Sequence, residues 1–231
     1  MPGRVFTAPR TVHSSDVTPD GRLRFDALAR YLAGAAEDDI ADAGWRAPYD
    51  WLLRRCTVSV RDYPRRGARY RLATFCSATG PRWAERTTTL TGPDGDLVQT
   101  TAVWVAIARA TGQPCPLGPE FHRLYGDSAE GRRVSARLFH PPPGPSAPAR
   151  DWPLRASDFD PAGHVSNTVH WQAVEDVLAR LDWLPASAEL EYHRPVLPGH
   201  EPRLVTELTP GQASLWLLNG LQVLASARLT R

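Results

Sequence analysis

The chain is written twice, and that duplication constrains the fold more tightly than any single motif. Ser15-Asp16-Val17-Thr18-Pro19-Asp20-Gly21-Arg22-Leu23 lines up with Ser157-Asp158-Phe159-Asp160-Pro161-Ala162-Gly163-His164-Val165 at an offset of 142. Further on, Val60 to Gly67 lines up with Tyr192 to Gly199 at an offset of 132, so the first copy carries ten extra residues between these segments. Between the copies runs His140 to Ala149, where six of ten residues are Pro or Gly. Proline restricts φ and has no N–H to donate, so this stretch is neither helix nor central strand and reads as an extended spacer.

Each copy predicts the same elements. Phe25, Leu28, Leu32, Ala35, Ala36 and Ile40 recur at three- and four-residue spacing, as do Val174, Val177, Leu178 and Leu181, giving one amphipathic helix per copy. Ser166 or Asn167 would cap the second. β-rich runs follow at 69–78, 83–91 and 97–108, and again at 203–208, 214–218 and 221–229. Gly92-Pro93-Asp94-Gly95, Thr209-Pro210-Gly211 and Asn219-Gly220 mark the turns between them. A lone helix followed by a meander buries its apolar stripe on one sheet face, which makes an α+β layer. A duplicated ferredoxin-like unit would need two helices per copy, and only one is strong in each. The expected division is a first half over 1–139, the spacer over 140–150 and a second half over 151–231.

Composition narrows the chemistry. With 231 residues the chain makes one large domain or two small ones, and 42% hydrophobic residues suffice for a core. All 27 basic residues are Arg, which excludes a Schiff-base or Lys-base mechanism. A net charge of +2 is too mild for a nucleic-acid binder. The longest apolar run, Ala102 to Ala108, is far short of the roughly 20 residues a membrane helix needs. The start of the chain lacks a signal-peptide pattern. Cys56, Cys76 and Cys115 are odd in number and lack metal spacing, so free thiols in the cytoplasm are expected.

The second copy is richer in reactive groups. Asp160 stands where the first has Thr18, His164 where it has Arg22, Asn167 where it has Phe25, and Glu191 where it has Ser59. Asp160-Pro161-Ala162-Gly163-His164 forms a tight turn before a helix start, whose free amides suit an oxyanion. Asp160 could be a nucleophile or a general base, His164 could place water or protonate a leaving group, and Asn167 could cap the helix or bind substrate. The plainer alternative is a turn-capping Asp160 beside a solvated His164.

Asp160-Pro161-Ala162-Gly163-His164-Val165-Ser166-Asn167, followed by the Trp171 helix, resembles the Asp-Pro-x-Gly-His-Val-Asn-Asn loop of hotdog-fold thioesterases. The closer resemblance is to the acyl-ACP thioesterases, plant-type and bacterial. Ser15 to Leu23 with Leu28 to Leu32 after it, Gly80 to Arg86, and Leu190-Glu191-Tyr192-His193-Arg194 are similar to that family in the same order. The sequence departs from it in two places. Ala162 replaces the Asn of the plant-type Asp-x-Asn-x-His motif, and Pro195-Val196 stand where the family has Glu-Cys.

The resemblance implies a double hotdog: two tandem repeats, each a long helix wrapped by an antiparallel sheet, with catalysis in the second. It implies thioester hydrolysis through Asp160, His164 and Asn167. Glu191 is expected either as a second carboxylate or as a packing or salt-bridge residue. No cofactor or metal is implied. The implied partner is acyl carrier protein, an acidic protein that Arg54, Arg55, Arg61, Arg65, Arg66, Arg69, Arg71, Arg132 or Arg133 could meet; a solvated basic face is the alternative. A homodimer stays open. The small residues of the first helix, Ala29, Ala33, Gly34, Ala35, Ala36 and Ala41, either leave room for an acyl chain or let the helix lie close to the sheet. Competing readings are an acyl-CoA thioesterase, a hotdog hydratase or dehydratase, and a non-catalytic acyl-binding protein.

Overall fold

The structure, a computed structural model, describes residues 3–231. The first copy holds β1 (Phe6–Thr11), α1 (Phe25–Asp42), β2 (Asp50–Val60), β3 (Arg69–Thr79), β4 (Trp83–Gly92), β5 (Gly95–Ile107) and α2 (Gly118–Ala129). The second holds β6 (Ala149–Asp151), α3 (His170–Leu178), β7 (Ser187–Tyr192), β8 (Arg203–Thr209), β9 (Gln212–Asn219) and β10 (Gln222–Thr230). All ten strands join one antiparallel sheet in the order β1-β3-β4-β5-β2-β7-β10-β9-β8-β6.

That order is symmetric. From the two edges inward, β1-β3-β4-β5-β2 matches β6-β8-β9-β10-β7, and the halves meet where β2 pairs with β7. Thr57 sits opposite Glu189, its own counterpart at the offset of 132, so an approximate two-fold axis passes through this pair. The Thr57 hydroxyl donates to the Glu189 carboxylate across it, at 2.9 Å. Loop hydrogen bonds repeat under the same operation. Leu23 N donates to Pro64 O at 2.8 Å, and Val165 N donates to Val196 O at 2.9 Å.

Both helices bury their apolar stripes in one common core, through Phe25, Leu28 and Ala35 of α1 and Trp171, Val174, Val177 and Leu178 of α3. They touch each other at Phe25 and Trp171, whose ring centroids are 5.5 Å apart. The main sheet contacts of α1 are with β1 and β3, at one edge of its half. The sheet surface over β4, β5 and β2 is thereby left as a floor beside the helix.

Three expectations change. The chain forms a further helix, α2, in a segment outside the repeat where the only large apolar residues are Phe121, Leu124 and Tyr125. Its local signals were Pro119 at its start and the i, i+4 pair Phe121 and Tyr125. It packs with Trp45, Tyr49 and Leu117 into a smaller core of its own. In addition, α3 begins at His170, so neither Ser166 nor Asn167 is its cap. Ser166 instead closes the preceding turn, accepting from Val169 N at 3.0 Å. Finally, the Pro-rich segment is fastened to the sheet face away from α3: Trp216 Nε1 donates to Pro141 O at 2.9 Å, and its last residues enter β6. Among the described residues, no helix is long and apolar enough to cross a membrane.

Candidate functional site

The turn from Asp160 to His164 is closed by backbone bonds. Asp160 N donates to His164 O at 2.8 Å, and Gly163 N donates to Asp160 O at 2.9 Å. Gly163 has φ +77°, which a side chain disfavours. Asp160 Oδ1 accepts from Ala162 N at 2.9 Å and His164 N at 3.3 Å. Among the described residues Oδ2 has no donor, so one carboxylate oxygen is pinned and the other is available.

After the turn, two buried side chains hold the next carbonyls. His170 Nδ1 lies 3.1 Å from Ser166 O, and since a carbonyl only accepts, that nitrogen carries the proton. Burial pushes the His170 pKa down to about 4, so the ring is neutral near pH 7. The Tyr192 hydroxyl donates to Asn167 O at 3.0 Å, and burial raises its pKa well above the ordinary value. With both carbonyls engaged, Asn167 N donates to no acceptor among the described residues. In the sequence His170 has no ligand spacing, and Tyr192 stands out only as part of the Leu190 to Arg194 segment.

Asp160, Pro161, Ala162, Ser166, Asn167 and Thr168 close one end of a cleft of about 470 Å³. Its wall is Ala29, Leu32, Ala33 and Ala36 of α1, and its floor is Leu53 and Cys56 of β2, Thr88 of β4, and Thr100, Ala102 and Trp104 of β5. A neighbouring cavity of about 250 Å³ shares Ala33, Ala36, Glu37, Arg86 and Trp104 with it. That cavity ends on Trp45, Trp51, Phe121 and Tyr125. The small residues of α1 thus serve both expected purposes. Ala29, Ala33 and Ala36 face the cleft, while Ala35 is fully buried in the core. The missed helix α2 supplies the far wall.

The corresponding place in the first copy is filled. There, Arg22 donates from Nη1 and Nη2 to both oxygens of Glu175 on α3, at 3.1 and 2.6 Å. Phe25 N, the counterpart of Asn167 N, donates to Glu175 Oε1 at 2.7 Å. Glu175 matches Ala33 under the two-fold operation. One copy therefore presents a carboxylate to this amide, and the other presents an alanine and open space.

The structure does not bring every expected residue to the cleft. His164 is half-buried beside the turn, does not line the cleft, and its ring makes no hydrogen bond among the described residues. Glu191 points to the opposite sheet face, because strand alternation sends Leu190 and Tyr192 into the core. It is fully buried and accepts from Phe139 N at 2.6 Å and His140 N at 3.1 Å. The expected second carboxylate is corrected to the alternative packing role: Glu191 clamps the entry of the Pro-rich segment. His193, on the same face, lies 3.6 Å from Glu191, and burial lowers its pKa. His140 bridges Ser226 Oγ at 2.9 Å and Glu189 Oε1 at 3.1 Å, which holds the Glu189 carboxyl below its usual range.

Of the arginines named above, Arg54 and Arg55 donate to backbone carbonyls, Arg65 pairs with Asp20, Arg61 donates to Asp94 O, and Arg132 is bonded three ways. Arg66, Arg69, Arg71 and Arg133 are exposed, and their side chains are unbonded among the described residues. The three cysteines are free thiols, and burial raises Cys56 to about 12 and Cys76 to about 11. Cys56 and Cys76 are therefore poor nucleophiles.

The antiparallel sheet with helices on one face, and a cleft beside a helix start, defines a protein of hotdog type. Comparison with known proteins then narrows the class. Residues 3–125, just over half of the chain, match the family model described as the acyl-ACP thioesterase N-terminal domain. The chain belongs to the acyl-ACP thioesterase family. It superposes on a 12:0-ACP thioesterase from Umbellularia californica with a TM-score of 0.84 at 19% identity, covering 98% of this chain and 96% of the other. An acyl-ACP thioesterase from Bacteroides thetaiotaomicron gives a TM-score of 0.84 at 16% identity, covering 98% and 97%. An uncharacterised protein of Mycobacterium tuberculosis is 26% identical over 232 residues, covering 99% of this chain and 93% of its own.

Proposed function

We propose that the protein hydrolyses acyl-ACP thioesters to free acids, at one site in the second half of a double hotdog. In this reading residues 1–139 form the pocket half, 140–150 the connection and 151–231 the catalytic half, in the cytoplasm. Family membership supports thioester hydrolysis. The observation that carries the site assignment is the Glu175 carboxylate on Phe25 N. A carboxylate resembles the oxyanion of acyl transfer in charge and shape. Its presence on one amide marks what the equivalent, unengaged Asn167 amide is built to receive.

The thioester carbonyl oxygen accepts from Asn167 N–H, and the acyl chain lies along α1. Asp160 Oδ2 either adds to the carbonyl carbon or takes a proton from attacking water. In sum, water adds a hydroxyl to the acyl carbon, the carbon–sulfur bond breaks, and the thiol leaves with a proton. The His164 amide steadies Asp160, and the His164 ring, on the outer side of the turn, meets water or the departing arm. Arg66, Arg69, Arg71 and Arg133 are the free cations for an acidic carrier.

Hydrolysis of matched acyl-ACP and acyl-CoA substrates tests the reading. Faster turnover of acyl-ACP is expected, and Asp160→Asn should lower kcat about 10²–10⁴-fold. Equal activity of wild type and Asp160→Asn would remove Asp160 from the mechanism.

A further inference from the structure

The floor of the cleft is polar where its counterpart is apolar. Residues 86, 88 and 100 match 213, 215 and 227 under the two-fold operation, an alignment in which the β4–β5 pairs Arg86 with Ala102 and Thr88 with Thr100 correspond to the β9–β10 pairs Ala213 with Leu229 and Leu215 with Ala227. The first copy thus carries Arg86, Thr88 and Thr100 where the second carries Ala213, Leu215 and Ala227. In the second copy this surface is close-packed, with a void of only about 10 Å³ against Leu215 and Ala227. An alkyl tail would be served by the apolar set, so the polar set needs its own explanation.

Part of that explanation is internal. Arg86 Nη1 donates to Asp39 Oδ2 at 2.7 Å and reaches Thr74 Oγ1 at 3.3 Å. Thr88 Oγ1 and Thr74 Oγ1 share a bond of 2.8 Å, and Thr100 Oγ1 donates to Thr88 O at 3.3 Å. What remains is specific. Arg86 also interacts with Tyr125, over whose ring its guanidinium lies at 5.9 Å, and beyond Asp39, Thr74 and Tyr125 it has no further partner among the described residues where it lines both cavities at their junction. The Thr100 hydroxyl, having spent its proton, keeps lone pairs free on a residue that lines the cleft. A guanidinium short of acceptors beside a hydroxyl short of a donor is the complement of a hydroxyl group, which accepts from one and donates to the other. Beyond Arg86 the cavity turns aromatic, with Trp45, Trp51, Phe121 and Tyr125, and its lining is mainly apolar, as suits an alkyl chain end, although Trp45 Nε1 and the Tyr125 hydroxyl are buried there without hydrogen-bond partners.

We propose that the preferred substrates are hydroxyacyl thioesters. The chain carries a hydroxyl part-way along, received by Arg86 and the Thr88–Thr100 floor, with its apolar end in the α2 aromatic cavity. This inference rests on the thioesterase reading and adds the class of acyl group.

The test compares ACP thioesters of equal chain length, plain and with a hydroxyl moved stepwise along the chain, together with the corresponding free acids. At one or more positions kcat/KM should exceed that of the plain chain about tenfold, as for a hydrogen bond to a charged group. The matching hydroxy acid should bind more tightly by tryptophan fluorescence, Trp51 and Trp104 lining the cavities. Arg86→Met should collapse the ratio of hydroxyacyl to plain rates. Because Arg86 also pairs with the buried Asp39, Thr100→Val is the companion variant and should reduce the same ratio. Plain chains hydrolysed as well as every hydroxylated one, with equal binding of the acids, would overturn the inference and leave the thioesterase reading standing. Preferential binding of the hydroxy acid without hydrolysis of any thioester would overturn the thioesterase reading instead.

Discussion

The two turns, 18–22 and 160–164, share a backbone and differ in what they hold. Each is closed by the same pair of bonds, and each follows a buried aspartate, Asp16 or Asp158, that accepts from an amide three residues earlier. Gly21 at φ +85° matches Gly163 at φ +77°. Yet the amide after turn 18–22 is occupied by Glu175, locked in place by Arg22, while the amide after turn 160–164 faces Ala33 and open space. Duplication preserved the scaffold, and one inserted ion pair turned a potential extra site into a brace between the helices.

Breaking the brace should have the largest effect. Glu175→Ala leaves Arg22, only 5% exposed, without its carboxylate. Removing one partner of a buried pair costs about 3–5 kcal/mol, visible as a lower denaturant midpoint. Hydrolysis in the first copy should not appear, since Thr18 and Phe25 still stand where Asp160 and Asn167 do. Glu191→Gln tests the outer face. It weakens the clamp on Phe139 and His140 and should cost about 1–3 kcal/mol, with turnover per folded molecule retained. A drop in kcat without a drop in stability would return Glu191 to the site.

A smaller effect separates the halves by pH. His170 occupies the position of Leu28 in the first copy. Its folded pKa is about 4 against 6.5 for the free side chain, so between these values the unfolded chain binds the proton and the folded one does not. Stability should therefore fall as pH drops from about 6.5 to about 4. His170→Leu should flatten that part of the melting profile, whereas an unchanged profile would mean that other groups control acid unfolding.

Much of the fold was legible because the repeat supplied it twice. Strand starts at Arg69, Trp83 and Arg203 match the expected ones, and the two offsets reappear as equivalent hydrogen bonds. Asp160 and Asn167 stand out as candidates because a turn and a family motif converge on them, and the structure places both at one end of the cleft. What escaped depends on contacts between distant segments. Glu175 carries no motif; only its match to Ala33 and its approach to Arg22 show its role. Glu191 and Tyr192 are adjacent in sequence, but alternation sends one to a clamp and the other beneath the site. Helix α2 packs on its own small core and lies outside the repeat, so duplication did not announce it.

The duplicated fold is expected to keep one open acyl site, facing Ala33. A ketone analogue of acyl-pantetheine, with the sulfur replaced by methylene, tests this by calorimetric stoichiometry on wild type and Ala33→Glu. The new carboxylate would reach Asn167 N as Glu175 reaches Phe25 N. One analogue should bind per wild-type chain and none to Ala33→Glu. Two per wild-type chain, or undiminished binding to Ala33→Glu, would mean that the open site does not lie between Asn167 and Ala33.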